Sequence, residues 1–337
     1  MSVADALALA VAGRTLPAPV MTAAMADMLS GAADPMRVAA LLTALRLRGE
    51  TPEEIAAGAA AMRAQARMIT APPGTVDTCG TGGTGLHTLN VSTATALVLA
   101  ALGVPVAKHG NRAASSLSGS SDVLGALGVR TDLTPERAEG VLGRLSLAFL
   151  FAPNHHPAVA HVMPVRRALG FRTIFNLLGP LSNPAGAKRQ LMGVYDGALC
   201  RPLAEALRAL GSERAWIVHG EDGLDELTVC GPNRVCVLDG GRITERTVAP
   251  EEAGLPRHPV GALTGGAPEA NADAMRALLD GARGAYRDAV ALNAAAGLIV
   301  AGRTDGLAVG ARLAERALDD GSAKFVLGRL VSETNAT

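Results

Sequence analysis

Aromatic residues are almost missing from this chain: one tryptophan, two tyrosines and five phenylalanines in 337 residues. Leucine, valine and alanine must therefore fill the core, and the stacking platforms used by single-strand nucleic-acid binders are scarce. Charge of one sign is missing too. Thirty-one Lys and Arg balance 31 Asp and Glu, so no global field draws the protein to nucleic acid or to an anionic membrane, and any anion site must be built locally. The four cysteines, Cys79, Cys200, Cys230 and Cys236, form no C-x-x-C pair. A chain of this length needs no disulfide staples, and a reducing cytosol fits such cysteines. No apolar run reaches the roughly 18 residues of a membrane helix. The mildly apolar start is interrupted by Asp5 and preceded by no basic residue, so it does not read as a signal peptide. What is abundant is aliphatic residue: at 49% hydrophobic the chain can bury a large core, enough for one big domain and a small one.

From Val3 to Met68 apolar residues recur at three-and-four spacing, which predicts four short helices. The last has a marked start, with Thr51 as N-cap, Pro52 at the first helical position and Glu54 three residues after the cap. After Ala71-Pro72-Pro73-Gly74 the texture changes to short β-branched runs alternating with helical stretches, the pattern of an α/β domain with a mainly parallel central sheet. Strands are expected at 75–78, 104–107, 147–151, 190–195 and 215–219. Helices are expected at 91–102, 121–127, 135–145, 158–169 and 203–210, and they dominate from Ala270 onward. Arg234 to Leu238 and Arg242 to Thr247, joined across Asp239-Gly240-Gly241, read as a hairpin.

Two loops at strand ends carry the anion chemistry. Asp77-Thr78-Cys79-Gly80-Thr81-Gly82-Gly83-Thr84-Gly85 follows the first strand, and Asn90-Val91-Ser92-Thr93 then opens an apolar helix. Glycines let backbone N–H groups approach an anion, and a helix N-terminus offers unpaired donors. Gly80, Gly82 and Gly85 also satisfy G-x-G-x-x-G. A dinucleotide site wants an acid about twenty residues on, however, and no Asp or Glu lies between Thr78 and Ser121. A tight turn without ligand is the remaining alternative for this motif. The second loop, Lys108-His109-Gly110-Asn111-Arg112 with the serines that follow, leaves the strand 104–107 at the same sheet edge and suits a polyphosphate. An ordinary polar surface loop has a similar composition.

Asp225 and Glu226, in a glycine-containing turn after the strand 215–219, suit Mg²⁺, which bridges one or two carboxylates to substrate phosphates. Arg166 and the run Gly170-Phe171-Arg172-Thr173-Ile174-Phe175-Asn176-Leu177-Leu178-Gly179-Pro180-Leu181 offer a cation beside an apolar wall, fit for the carboxylate of a small aromatic acid. His155 and His156 could be metal ligands, but adjacent side chains on an extended stretch point apart and no third ligand is signalled.

Together the Gly-Thr-Gly-Gly loop with Asn90-x-Ser92-Thr93, the Lys108-His109-Gly110-Asn111-Arg112 run, Arg166 with the 172–181 run, and Asp225-Glu226 resemble the anthranilate phosphoribosyltransferase family, over the chain up to about Lys324. The resemblance implies the nucleoside phosphorylase/phosphoribosyltransferase-like fold. That is a small all-helical domain, residues 1–70, completed by helices within about 157–185, plus a large α/β domain from 71–156 and 186–337, dimerising through the helical domains. It implies that Gly80 lies at the mouth of the anthranilate site, while Gly83, Thr84, Thr88, Asn90, Val91, Ser92 and Thr93 hold phosphoribosyl diphosphate. Lys108, His109, Gly110, Asn111, Arg112, Ala113, Ala114, Ser115, Ser116 and Ser120 would hold phosphates and ribose. Ser92, Asp225 and Glu226 would serve magnesium, and His109, Asn111 and Arg166 would face anthranilate. One position departs from the family pattern: Thr84 stands where Asp is usual.

The implied reaction displaces diphosphate from the ribose by the aromatic amine. No strong base is called for; positioning and charge stabilisation, with Lys108, Asn111 and Arg166 foremost, would carry it. A pyrimidine nucleoside phosphorylase, which shares the fold, and a non-catalytic nucleic-acid-binding relative are the alternatives. Balanced charge and the presence of Asn111, Arg112 and Arg166 speak against the second.

Overall fold

Proline and short polar caps start the N-terminal helices. In the computed structural model, which describes residues 2–113 and 117–336, α1 (Val3–Val11), α2 (Ala18–Ser30), α3 (Pro35–Arg48) and α4 (Pro52–Ala64) follow one another with short connections. Asp34 caps α3 by accepting from the N–H groups of Met36 and Arg37, both at 3.0 Å. At α4 the Thr51 hydroxyl accepts from Glu54 N at 3.3 Å, and the Glu54 carboxylate accepts from Thr51 N at 2.9 Å, closing the expected capping box. Glu54 is fully buried and does more than cap. Its other oxygen accepts from Leu16 N at 2.6 Å, and Arg48 pairs with it, so one carboxylate ties the α1–α2 connection, the end of α3 and the start of α4.

A seven-stranded sheet forms the second layer, in the order β3-β2-β1-β4-β5-β6-β7. The strands are β1 (Val76–Asp77), β2 (Val106–Gly110), β3 (Leu147–Phe151), β4 (Arg189–Gly193), β5 (Arg214–Gly220), β6 (Asn233–Asp239) and β7 (Arg242–Val248). Neighbours among the first five pair parallel, and β6 and β7 pair antiparallel. The hairpin turns on Gly240 and Gly241, at φ 54° and 84°, left-handed values that a two-residue turn of this kind requires and glycine supplies without strain. The remaining helices are α5 (Val91–Ala101), α6 (Ser120–Ala126), α7 (Pro135–Leu145), α8 (Ala152–His155), α9 (Met163–Leu169), α10 (Phe175–Leu181), α11 (Cys200–Ala209), α12 (Pro268–Leu279), α13 (Ala285–Ala301), α14 (Leu307–Asp319) and α15 (Ser322–Asn335).

Two apolar clusters divide the interior. One gathers the faces of α1–α4 with Val162, Ile174, Phe175, Leu177, Leu178 and Leu181, and continues through α11 onto Met192, Ala215, Ile217 and Leu238 of the sheet. The other lies on the opposite sheet face, around the almost wholly buried α5 and α13. Helix α10 packs on α4 closely enough that a Cβ on Gly58 would stand 3.2 Å from Leu178. Among the described residues no helix is long and apolar enough to cross a membrane.

Three expectations need correction. β2 runs on through Lys108, His109 and Gly110, which pair with Phe149, Leu150 and Phe151; polar side chains at a strand end hid the continuation. The helix expected over 158–169 is broken into a 3₁₀ turn, Pro157–His161, and α9, because Pro164 has no N–H to continue the ladder and instead sits in the first turn of a new helix. His155 lies in the helical turn α8, not on an extended stretch.

Replacing Glu54 by Ala should destabilise the fold by about 3 kcal/mol, since it orphans a partly buried guanidinium and two backbone N–H groups at once. Equilibrium denaturation in urea checks this, and a loss under about 1 kcal/mol would show that the carboxylate is not the tie described.

Candidate active site

β1 lies in the middle of the parallel strands, flanked by β2 and β4, so the chain leaves it at a switch point, where loops from adjacent strands part and leave a crevice. The glycine loop rises from this end. Thr81 N donates to Gly193 O at 2.8 Å and Tyr195 N to the Thr81 hydroxyl at 3.1 Å, which carries the loop along the end of β4. A Cβ on Gly80 would stand 2.9 Å from Gly193 O and 3.2 Å from an Asp225 oxygen, so only glycine fits that approach. Gly193 is tighter still: its missing Cβ would coincide with the Asp225 carbonyl.

The acidic turn after β5 closes the crevice from the far side. Asp225 accepts from Gly82 N at 2.8 Å, and Glu226 accepts from Ser92 N at 3.1 Å, at the first turn of α5. A carboxylate there meets unpaired donors and the positive end of the helix dipole. Lys108, only 3% exposed, reaches up from β2 and donates to Thr78 O and to the Ser92 hydroxyl, both at 3.2 Å. Gly82, Ser92, Lys108, Asp225 and Glu226 thus share one floor. Removal from water pushes both carboxyl groups above their ordinary values; the neighbouring Asp225 raises Glu226 further, and Lys108 opposes the shift. Two adjacent carboxylates facing one lysine leave the floor short of positive charge, which a divalent cation would supply. Among the described residues no group of three or more His, Cys, Asp or Glu could hold a metal alone, so most of the coordination would fall to water and substrate oxygens, the habit of Mg²⁺.

The remaining expected residues are distributed around this floor. Thr84 uses its hydroxyl to accept from Leu86 N at 3.1 Å, a local turn inside the glycine loop. Gly83 O accepts from Arg172, whose guanidinium lies 4.1 Å from the centre of the Tyr195 ring. Val91 points into the core and its N–H already donates to Leu89 O at 2.9 Å. Thr93 is buried with its hydroxyl unpartnered. Asn111 and Arg112 are exposed, the latter over Phe151 at 5.9 Å. Ala113 N and Gly119 N both donate to Asp122 at 2.9 Å, drawing the two ends of the serine loop together beside Ser120. Ala114, Ser115 and Ser116 lie outside the described residues.

A second group of side chains lines α10. His109 Nδ1 faces Gly179 O at 3.1 Å; because a carbonyl only accepts, the ring proton sits on Nδ1 and Nε2 carries the lone pair. Burial, reinforced by His156 at 5.2 Å between ring centres and by His155, pulls His109 down to about 3, so the imidazole stays neutral. One turn back along α10, Phe175 carries the Arg166 guanidinium over its ring at 5.3 Å. Arg166 makes no ion pair with any described carboxylate, and burial alone lowers its pKa. A half-buried cation beside an aromatic face, whose side chain has only the Met163 sulfur at 3.5 Å as a hydrogen-bond partner, is arranged to receive an anion.

Several residues of the site escaped the sequence reading. Asp77, buried at the end of β1 and pushed by burial up to about 6, accepts from Cys79 N and His109 N and so joins the two loop exits. Asp122 and Gly193 were missed as well, and so were Asn271, which donates to Thr88 O and Asn90 Oδ1, and Tyr286, which donates to Asn90 O. Asp77 and Arg172 both lie inside the recognised runs 77–85 and 170–181, where residue type alone gives them no role. Gly193 left a signal, a glycine inside the strand expected over 190–195, where a close backbone approach is one reading; Asn271 left none.

Comparison with known proteins now bears on this geometry. Residues 4–66 match the helical bundle domain of the glycosyl transferase family, and residues 72–324 match its a/b domain. An anthranilate phosphoribosyltransferase from Parvibaculum lavamentivorans is 55% identical over 96% of this chain and 95% of its own length. The crystal structure of the anthranilate phosphoribosyltransferase from Thermus thermophilus superposes with a TM-score of 0.94 at 48% identity, over 98% of this chain and 100% of that one. The Saccharomyces cerevisiae enzyme, solved in complex with PRPP and Mg, superposes at 0.91 with 26% identity, over 99% and 98%. With both family domains matched and the fold and sequence shared along nearly the whole length, the chain belongs to the anthranilate phosphoribosyltransferase family.

Proposed function

We propose that this protein transfers the phosphoribosyl group of 5-phosphoribosyl 1-diphosphate to the amine of anthranilate, giving N-(5-phosphoribosyl)anthranilate and diphosphate in tryptophan synthesis, with Mg²⁺ bound at Ser92, Asp225 and Glu226. The observation that carries the site assignment is the meeting of the glycine loop, the start of α5 and the acidic turn on one floor, through Gly82 N to Asp225 and Ser92 N to Glu226.

The bond from ribose C1 to the diphosphate oxygen breaks, a bond from C1 to the amine nitrogen forms, and the amine gives up one proton. Backbone N–H groups of the 80–85 loop and the cations Lys108 and Arg112 face the phosphates; Thr88, Asn90, Asn111 and Ser120 border the sugar and its groups. When bound, the metal neutralises charge developing on the leaving diphosphate. Arg166 takes the anthranilate carboxylate, and the neutral His109 presents a lone pair to the slot. Departure of a stabilised leaving group from a held sugar needs placement and charge more than a strong base, consistent with the neutral imidazoles here.

The same reading divides the chain into a helical lobe, 1–70 with about 157–185, and an α/β lobe, and makes it a cytosolic homodimer through the helical lobe. Val11, Met36 and Leu47 support that surface, standing 73%, 80% and 83% exposed on or beside α1 and α3.

Following anthranilate fluorescence with phosphoribosyl diphosphate, with and without Mg²⁺, tests the reading directly; no consumption under either condition would end it. Asp225→Ala with Glu226→Ala should lower kcat/KM for the sugar substrate by about a hundredfold or more, and an unchanged magnesium titration would remove both from the site.

Arg166→Ala should raise the anthranilate KM by roughly ten- to a hundredfold, the worth of a charge-assisted pair. The sugar KM serves as the control; an equal rise in both would misplace the slot.

In metal-free protein the raised Glu226 carboxyl keeps its proton where the unfolded chain has lost it. At this group the folded state then binds more protons, so its contribution to stability falls as pH rises from the ordinary glutamate value of 4.5 to about 8. His109 and His156, held neutral by burial, act the opposite way below the ordinary histidine value of 6.5, so thermal melts should slope downward between pH 6.5 and about 8, Glu226→Gln should flatten that slope, and added Mg²⁺ should remove it; a flat wild-type profile over that window without metal contradicts the protonation described.

A further inference from the structure

The stretch from Gly80 to Leu89 contains no helix or strand of its own, and something outside it must fix its far end. That support comes from late in the chain. Leu89 N donates to Leu263 O at 2.9 Å, Gly265 N donates to His87 O at 2.8 Å, and Thr88 bridges Thr264 antiparallel, making a miniature ribbon. A Cβ on Gly265 would stand 2.6 Å from both the Thr88 backbone and the Asn271 side chain, so the ribbon and the first turns of α12 meet in close contact.

Asn271 is 1% exposed and every hydrogen-bonding group of its amide is committed. Its oxygen accepts from Gly266 N at 2.8 Å; its nitrogen donates to Thr88 O at 3.1 Å and to Asn90 Oδ1 at 2.9 Å. Gly266 N can only donate and Thr88 O can only accept, so backbone partners at both ends force this orientation. Asn90 must then turn its oxygen toward Asn271 and its nitrogen toward Ser118 O, at 3.2 Å. The Ser118 hydroxyl adds a donation to Asn90 Oδ1 at 3.4 Å, and the Tyr286 hydroxyl donates to Asn90 O at 3.2 Å. The Asn271 amide on one side and the Ser118 carbonyl on the other therefore decide together which face of Asn90 is acceptor and which donor. They do so at the junction of the glycine loop, the start of α5 and the serine loop.

We propose that Asn271 is a positioning residue for the sugar-diphosphate site: it holds the Asn90 amide from the side opposite the Ser118 carbonyl, fixes the placement of Thr88, and through Asn90 and Ser118 registers the serine loop against the glycine loop. The proposal rests on the functional reading above, in which Thr88 and Asn90 hold phosphoribosyl diphosphate. It makes α12 part of the binding apparatus although none of its side chains need touch substrate. A residue that only anchored α12 would change stability without distinguishing between the two substrates.

The test compares wild type with Asn271→Asp, which keeps the shape and the acceptance from Gly266 N but loses both donations, and with Asn271→Ala. The KM for phosphoribosyl diphosphate should rise about tenfold, the cost of losing a buried donor pair, while that for anthranilate should move by less than about twofold. In a double-mutant cycle with Asn90→Ala the two losses should fall well short of additive, since Asn271 acts through Asn90. Both KM values rising together, no change in either, or full additivity would overturn the proposal. Should the alanine variant fail to fold, the isosteric aspartate carries the same comparison. Calorimetric titration of each variant with phosphoribosyl diphosphate and Mg²⁺ separates the two claims. If wild type binds but never consumes anthranilate, the functional reading fails while the affinity loss at Asn271 still decides this one.

Discussion

Two carboxylates reaching back to backbone N–H groups hold the site together. Asp225 and Glu226 follow the fifth strand of the sheet, and the groups they accept from, Gly82 and Ser92, lie 143 and 134 residues earlier. Each is an ordinary hydrogen bond from a backbone N–H to a carboxyl oxygen, yet between them they tie the acidic turn to the glycine loop and to the first turn of α5. Everything that would meet the diphosphate hangs from that floor. The same acids are both structural and chemical: in binding the loop they are drawn out of water, and being drawn out of water makes them want a cation.

This arrangement shows how a chain with balanced charge gathers positive potential at one crevice. Positive potential comes from a few cations in sheltered positions and from backbone dipoles at a helix start. Lys108 is nearly buried, Arg166 is held against Phe175 without a carboxylate partner, and Arg172 lies over Tyr195. Three of the chain's few aromatic rings thus back arginines around the crevice, counting Phe151 beneath Arg112. The scarcity of aromatics elsewhere leaves the core to alanine and leucine, which suits the close helix packing at Gly58 and Leu178.

Local features of the fold were legible in the sequence. The capping box at Thr51 and Glu54, the glycine pair of the β6–β7 hairpin and the four N-terminal helices each depend on residues within a few positions of one another. The two loop exits from β1 and β2 could be placed at one sheet edge because parallel strands share direction. Illegible were contacts between ordinary residues far apart in the chain. Nothing about Asn271 distinguishes it from any helical asparagine until Asn90, 181 residues away, comes within 2.9 Å. The extent of β2 was misjudged for a related reason: Lys108 and His109 look like loop residues because the chemistry of the site, not the pleat, dictates their type. Strand-end positions facing a crevice obey the ligand before they obey alternation.

Gly193 has a consequence for how such sequences diverge. The carbonyl of Asp225 occupies the volume that any side chain at that position would fill, so the smallest drift there, a single methyl, would evict the acidic turn while leaving every motif residue in place. A relative carrying all the signature loops but with a larger residue at this one strand end would keep the outline of the crevice and lose the placement of the two acids on its floor. For sorting divergent relatives into active and silent ones, a hydrogen atom on β4 is therefore more informative than the conspicuous glycine loop beside it.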